Sequence, residues 1–249
     1  MEVLGHRGSR VPGPENTVEA VDAALSAGAD GVEIDIRRSA DGDLVCVHDA
    51  RLSRPAGRAV IRSSTEVLRA RGIPLLDEII DVWAGRGRLI CEIKNQPGQP
   101  DFDAPRERTA QALVERLRAR GLTGPRPTVA ELDAGVGGIT VSSFDWFAIE
   151  AVRDADLAVA TAFLTMPRMS VSGGLGYVRS AGHTELHPHT GAVLGAADAA
   201  ARAREAGVRL VTWTVTSVEA ARALRDAGVT GVICDDPLEV RRALADPAG

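Results

Sequence analysis

The stretch Leu25–Ile34, LSAGADGVEI, joins the end of a helix to the start of a strand. A helical pattern closes on Ala27-Gly28, and an apolar β-type run follows almost at once. Glycine just past the last turn supplies the left-handed backbone that stops a helix without a Cβ penalty. The same phrase returns as Arg204–Trp213 (REAGVRLVTW) and Arg225–Cys234 (RDAGVTGVIC). Tight helix-to-strand junctions of this kind predict a parallel sheet with helices outside it, and a (β/α)8 TIM barrel fits them better than an open sheet. A Rossmann sheet is the alternative, but no G-x-G-x-x-G follows the first strand.

Outward from these junctions the alternation continues. Strands are expected near Val3–Leu4, Gly31–Ile36, Leu44–Val47, Arg88–Ile93, Gly138–Ser142, Leu157–Phe163, Arg209–Val215 and Gly231–Cys234. Helices are expected near Thr17–Ala27, Leu76–Ala84, Arg106–Arg120, Trp146–Arg153, Gly195–Ala206, Val218–Ala227 and Leu238–Ala245. Asp41-Gly42 between two β runs predicts a hairpin turn, an antiparallel excursion off the barrel. Ala50–Arg71, Gln96–Pro105 and Leu122–Gly138 break the rhythm and read as loops. The expectation is one domain over residues 1–249, with a short insertion after the second strand at about residues 44–74.

Composition narrows the function. Of 249 residues, 45% are hydrophobic and 25% charged, enough for one large core without disulfide or metal staples. A net charge of −5 gives a nucleic-acid partner no bulk electrostatic support. No run of about 18 apolar residues predicts a membrane span. The start, MEVLGHRG, lacks the basic and apolar regions of a signal peptide. Cys46, Cys91 and Cys234 each sit in an apolar run and read as buried thiols, so a cytoplasmic location is expected.

The chemistry begins at VEIDI. Alternate strand residues share a face, so Glu33 and Asp35 point together while Val32, Ile34 and Ile36 point away. Two neighbouring carboxylates on a buried strand need a compensating cation, either a metal or arginines. A solvated strand end or a structural salt bridge accounts for the pair equally well. LICEIK repeats the logic, with Glu92 and Lys94 on one face. If the two strands are neighbours, three carboxylates and a lysine converge near the strand C-termini, the end where barrel active sites lie. Such an oxygen-rich set suits Mg2+ or Ca2+ better than zinc. His6 and His48 also fall at strand C-termini, where imidazole can serve as acid and base. Arg7 offers a planar fork for a phosphate.

These residues fall into an ordered set: HRG (His6–Gly8), PENT (Pro14–Thr17), EID (Glu33–Asp35), DGDLVCVHD (Asp41–Asp49) and EIK (Glu92–Lys94). SSFD (Ser142–Asp145), HPH (His187–His189), TWTV (Thr212–Val215) and DDP (Asp235–Pro237) follow in order. The chain thereby resembles the glycerophosphodiester phosphodiesterase family from near residue 3 to near residue 240.

The resemblance implies a (β/α)8 barrel with an insertion after the second strand, supplied here in shortened form. It implies a divalent metal on Glu33, Asp35 and Glu92, and His6 and His48 as general acid and base. Arg7 and Lys94 would meet the phosphate. Glu15 would stand at or beside the metal, and Asn16 would donate a hydrogen bond. Phe144 and Trp213 would line the glycerol side. The implied reaction releases sn-glycerol 3-phosphate and an alcohol from a small glycerophosphodiester through a cyclic phosphate. A lysophospholipase D acting on a longer apolar substrate is the alternative, and a non-catalytic phosphodiester-binding barrel is a third reading. Ser39, Thr216 and Cys234 depart from the family pattern without touching a histidine or a proposed ligand. The segment Thr165–Thr184 matches least. In the opening loop, Gly8, Pro12, Gly13 and Pro14 are expected to shape the turn.

Overall fold

Among the described residues, nine strands form one sheet that closes on itself. In the computed structural model the strands are β1 (Glu2–Gly5), β2 (Gly31–Arg38), β3 (Leu44–Cys46), β4 (Arg88–Ile93), β5 (Ile139–Ser143), β6 (Ala160–Leu164), β7 (Glu185–His187), β8 (Arg209–Val215) and β9 (Gly231–Cys234). The structure describes residues 1–10, 13–52, 57–135, 138–155 and 157–245, so Pro12 of the opening loop lies outside the described residues. All strands except β3 pair in parallel, and β1 joins both β2 and β9, closing an eight-stranded barrel. β3 is the antiparallel hairpin partner of β2, with Arg38 opposite Leu44 and Ile36 opposite Cys46. The (β/α)8 barrel and its DG hairpin are thus as expected.

The helices are α1 (Val18–Ser26), α2 (Thr65–Arg69), α3 (Leu76–Trp83), α4 (Arg108–Ala119), α5 (Val129–Asp133), α6 (Trp146–Arg153), α7 (Val171–Ala181), α8 (Thr190–Leu194), α9 (Ala199–Glu205), α10 (Val218–Ala227) and α11 (Pro237–Ala245). Side-chain oxygens of Thr17, Ser170 and Ser217 cap α1, α7 and α10 by accepting from backbone N–H groups in the first turn. The Ala-Gly junctions behave as read: Gly28, Gly207 and Gly228 have φ of +86°, +66° and +83°.

Three expectations are corrected. Ala50–Arg71 is more than loop, because it carries a 3-10 turn at Val60–Arg62 and helix α2. Val45, Val60 and Leu68 pack there into a small apolar core of their own. Leu122–Gly138 likewise holds the short helix α5. The unit from α7 to α8, including strand β7, was absent from the expected elements. Its strand has only the residues Glu-Leu-His, and a search for apolar runs passes over it. Its helix contains three glycines, which lower helix propensity. Gly174 has a packing reason: a Cβ there would come within 2.7 Å of the Leu186 side chain, so only glycine lets α7 lie this close to β7.

Inside the barrel the side chains form layers. Strand β4 shows them in sequence: Arg88, Ile90, Glu92 and then Lys94 just past its end, each two residues on and therefore on the same face. Ile90 joins Leu4, Val211 and Ile233 in an apolar plug. Below it Arg88, Arg209, Glu2 and Glu185 form an ionic floor. Above it lies the mouth, where the candidate residues gather. The larger apolar clusters fill the space between barrel and helices. Among the described residues no helix is long and apolar enough to cross a membrane, and Cys46, Cys91 and Cys234 are buried free thiols.

Candidate active site

Strand register builds the site. β2 pairs with β4 so that Asp35 stands opposite Glu92, and Glu33 is two residues back on the same face. One carboxylate oxygen from each of Glu33, Asp35 and Glu92 lies within 4.8 Å of the others, and all three residues are buried. This is the only group of three or more potential ligands that close together among the described residues.

Two cations sit against the cluster without balancing it. Lys94 Nζ is 2.8 Å from Asp35 Oδ1 and 2.7 Å from Glu92 Oε1. Arg7 Nε is 3.0 Å from Asp35 Oδ2. The backbone N–H of Arg7 donates to Glu33 Oε2 at 3.1 Å, from a residue held at φ 55°. That left-handed conformation is uncommon for arginine, and strain of this kind concentrates at functional sites. Asn16 clasps Asp35 from two directions, donating from Nδ2 to Oδ2 at 2.8 Å and accepting the Asp35 N–H at 2.9 Å. Among the described residues, Glu33 Oε1 is left buried with no hydrogen-bond partner.

The charges respond accordingly. Burial pushes the Glu33 carboxyl well above its ordinary range, and neighbouring Asp35 and Glu92 push it further. Burial would raise Asp35 too, but Lys94 and Arg7 bring it down to about 2. Glu92 is raised by burial, with Lys94 acting against that. Lys94 is raised despite burial because Glu92 and Asp35 face it. An orphaned buried oxygen amid three converging carboxylates is the environment a hard divalent cation fits. The residues present therefore suit such an ion.

The two histidines flank this cluster. His6 follows β1, and β1 pairs with β9 so that Gly5 stands opposite Cys234. Asp235 therefore lies beside His6, and its Oδ1 is 2.7 Å from His6 Nδ1. That hydrogen bond holds the Asp235 carboxyl below its ordinary range and leaves Nε2 as the unengaged ring nitrogen. His48 Nδ1 is 3.0 Å from Asp49 Oδ1. Burial, then the positive charge of Lys94, lowers the His48 imidazole below its usual range. Arg37 steadies the same turn by donating from Nε to the His48 carbonyl at 2.9 Å.

All the residues named from sequence meet at this mouth. Glu15 bonds the Arg7 guanidinium at 2.6 Å and stands outside the carboxylate triad. Phe144 and Trp213 come together from the ends of β5 and β8 as a T-shaped pair, 5.4 Å between ring centroids. Asp235 belongs to the DDP motif, but the sequence alone assigns it no role. Only the β1–β9 pairing reveals what it touches.

Residues 6–239 match the model of the glycerophosphoryl diester phosphodiesterase family. The chain belongs to that family. It is accordingly a phosphoric diester hydrolase, of a family whose members generally depend on a divalent metal. A glycerophosphodiester phosphodiesterase of Caldanaerobacter subterraneus subsp. tengcongensis is 25% identical over 252 residues, covering 94% of each chain. A glycerophosphodiester phosphodiesterase structure from Thermotoga maritima superposes with a TM-score of 0.77 at 23% identity, covering 97% of both chains. An Oleispira antarctica phosphodiesterase, solved with its product sn-glycerol-3-phosphate, gives a TM-score of 0.79 at 24% identity, over 99% of this chain and 97% of that one.

Proposed function

We propose that this protein, acting as one barrel domain over residues 1–249, hydrolyses glycerophosphodiesters to sn-glycerol 3-phosphate and an alcohol. The observation that carries the reading is the incomplete charge balance of Glu33, Asp35 and Glu92 beside two aspartate-aligned histidines. The product complex of the Oleispira relative supports the same small-molecule class. Glu33, Asp35 and Glu92 would hold Mg2+ or Ca2+, which when bound supplies positive charge to the phosphoryl oxygens.

This chain's own residues do the rest. Arg7 and Lys94 orient the phosphate and favour charge growing on it. Phe144 and Trp213 offer an apolar wall to the glycerol. One of His6 and His48 takes the proton of the glycerol 2-hydroxyl, which attacks phosphorus within the same molecule. The other gives a proton to the departing alcohol oxygen. Intramolecular attack exploits proximity, which can replace much of the barrier. Water then opens the cyclic phosphate with the histidines exchanging roles.

Released glycerol 3-phosphate is the readout. Turnover should vanish in excess chelator and return with Mg2+ or Ca2+. Glu33→Gln should lose both that activity and the metal-induced rise in thermal midpoint. Full turnover in excess chelator would overturn the metal assignment.

A second reading draws on exposed Phe102, Trp146, Phe147, Met166 and Met169, which all lie on segments following β4, β5 and β6. An apolar rim beside the mouth favours a substrate that carries an acyl chain, as a lysophospholipase D requires. Relative turnover on glycerophosphocholine and lysophosphatidylcholine separates the two readings.

A further inference from the structure

The mouth has two unlike sides. Over β5 and β8 stand the Phe144 and Trp213 rings. Over the β2–β3 hairpin opens a cavity of about 320 Å3, whose near wall includes Glu15, Asn16 and His48. Its far wall comes from the insertion and carries the exposed guanidinium groups of Arg51 and Arg71. The carboxylates in this cavity are already engaged. Glu15 is bonded to Arg7 at 2.6 Å and lies 3.4 Å from Arg10, and Asp49 faces His48 at 3.0 Å. The arginines are not. Arg71 has no side-chain hydrogen bond or ion pair among the described residues, and Arg51 spends one N–H on the Gly57 carbonyl at 3.0 Å. The unspent charge of the cavity is therefore positive, in a protein whose net charge is −5. Arg51 and His48 also border a smaller cavity of about 200 Å3 that includes Lys94, so the two cavities are neighbours at the mouth.

In-line displacement at phosphorus sends the leaving oxygen away from the attacking one. A diester whose glycerol rests on Phe144 and Trp213 must then direct its other arm towards the opposite side of the mouth, where this cavity lies. We propose that the cavity is the subsite for the leaving alcohol, and that Arg51 and Arg71 select an alcohol bearing an oxyanion of its own. The inference rests on the phosphodiesterase reading above and adds a substrate class to it. A planar guanidinium recognises phosphate or carboxylate through paired N–H donors, whereas a quaternary ammonium there would meet only repulsion.

Three diesters isolate the charge: glycerophosphoinositol 4-phosphate, glycerophosphoinositol and glycerophosphocholine. The expected order of kcat/KM is that order. Arg71→Glu and Arg51→Glu should each lower the ratio of the first to the second by about tenfold, the scale of one charge-assisted hydrogen bond. Arg71→Lys should restore most of the ratio. A ratio that neither charge reversal moves, or a wild-type preference for the choline diester, overturns the proposal. Calorimetric binding of inositol 4-phosphate, weakened in Arg71→Glu, tests the cavity apart from turnover. Intact binding of that kind with no cleavage of any diester would count against the phosphodiesterase reading and leave the cavity's selectivity standing. Absence of binding together with an unmoved ratio removes the cavity alone.

Discussion

Glu185 at the floor of the barrel and Glu33 at its mouth are both buried glutamates inside the same sheet, yet their acidities move in opposite directions. Burial pushes both up. At the floor, Arg88 lies 2.6 Å from Glu185, His187 Nε2 is 3.0 Å from its Oε2, and Arg209 approaches to 3.6 Å. The result is a carboxyl held far below its ordinary range. At the mouth, Lys94 and Arg7 are shared among several carboxylates, and Glu33 keeps a bare oxygen. The plug of Leu4, Ile90, Val211 and Ile233 separates the two layers. A completed ionic network is a structural part. One left short of positive charge at a strand C-terminal end is a place for a cation and an anionic substrate.

The contrast can be broken most sharply at the mouth. Asp35→Asn removes the carboxylate that Lys94, Arg7 and Asn16 all address, and kcat/KM should fall about a thousandfold, as when a preorganised electrostatic contact is lost. Far-ultraviolet circular dichroism should stay unchanged, because an asparagine still fills the space. Retention of near-wild-type turnover would move Asp35 from the site into the scaffold.

Arg88→Ala should do the reverse at the floor. It strands Glu185 without its nearest cation, and removing one partner of a buried pair costs about 3–5 kcal/mol of stability. Urea unfolding should show the loss, with turnover per folded molecule preserved. If stability held and catalysis fell instead, the plug would not insulate the two layers.

The smallest effect concerns a third acidic group, in the segment after β4. Asn95 donates to both Glu107 at 3.0 Å and Asp145 at 2.7 Å. Burial, with Asp145 next to it, lifts Glu107 to about 7. A carboxyl whose folded value lies above its unfolded one contributes stability below the unfolded value of 4.5 and loses it as pH rises through about 7. The wild-type urea midpoint should therefore fall between pH 5 and 8 relative to Glu107→Gln. Parallel pH profiles for the two proteins would remove Glu107 as the cause.

Much of this was legible in the chain. The Ala-Gly junctions announced helix ends followed by parallel strands, because only a few backbone conformations stop a helix so abruptly. Period two in VEIDI and LICEIK put Glu33 with Asp35 and Glu92 with Lys94. Strand β7 was not legible, since Glu185 and His187 are buried polar groups that bond each other, and the cations that face Glu185, Arg88 and Arg209, come from other strands. Helix α7 was hidden by its three glycines, of which Gly174 is required by the close approach of Leu186.

Which residues share a face follows from local backbone periodicity and can be read along the chain. Tertiary structure alone decided which faces meet. Asp35 stands beside Glu92 through the β2–β4 register, and Asp235 reaches His6 across 229 residues because closure of the barrel pairs β9 with β1. Closure also separates a satisfied floor from an unsatisfied mouth. Charge balance is a sum over neighbours in space, and no stretch of chain contains it.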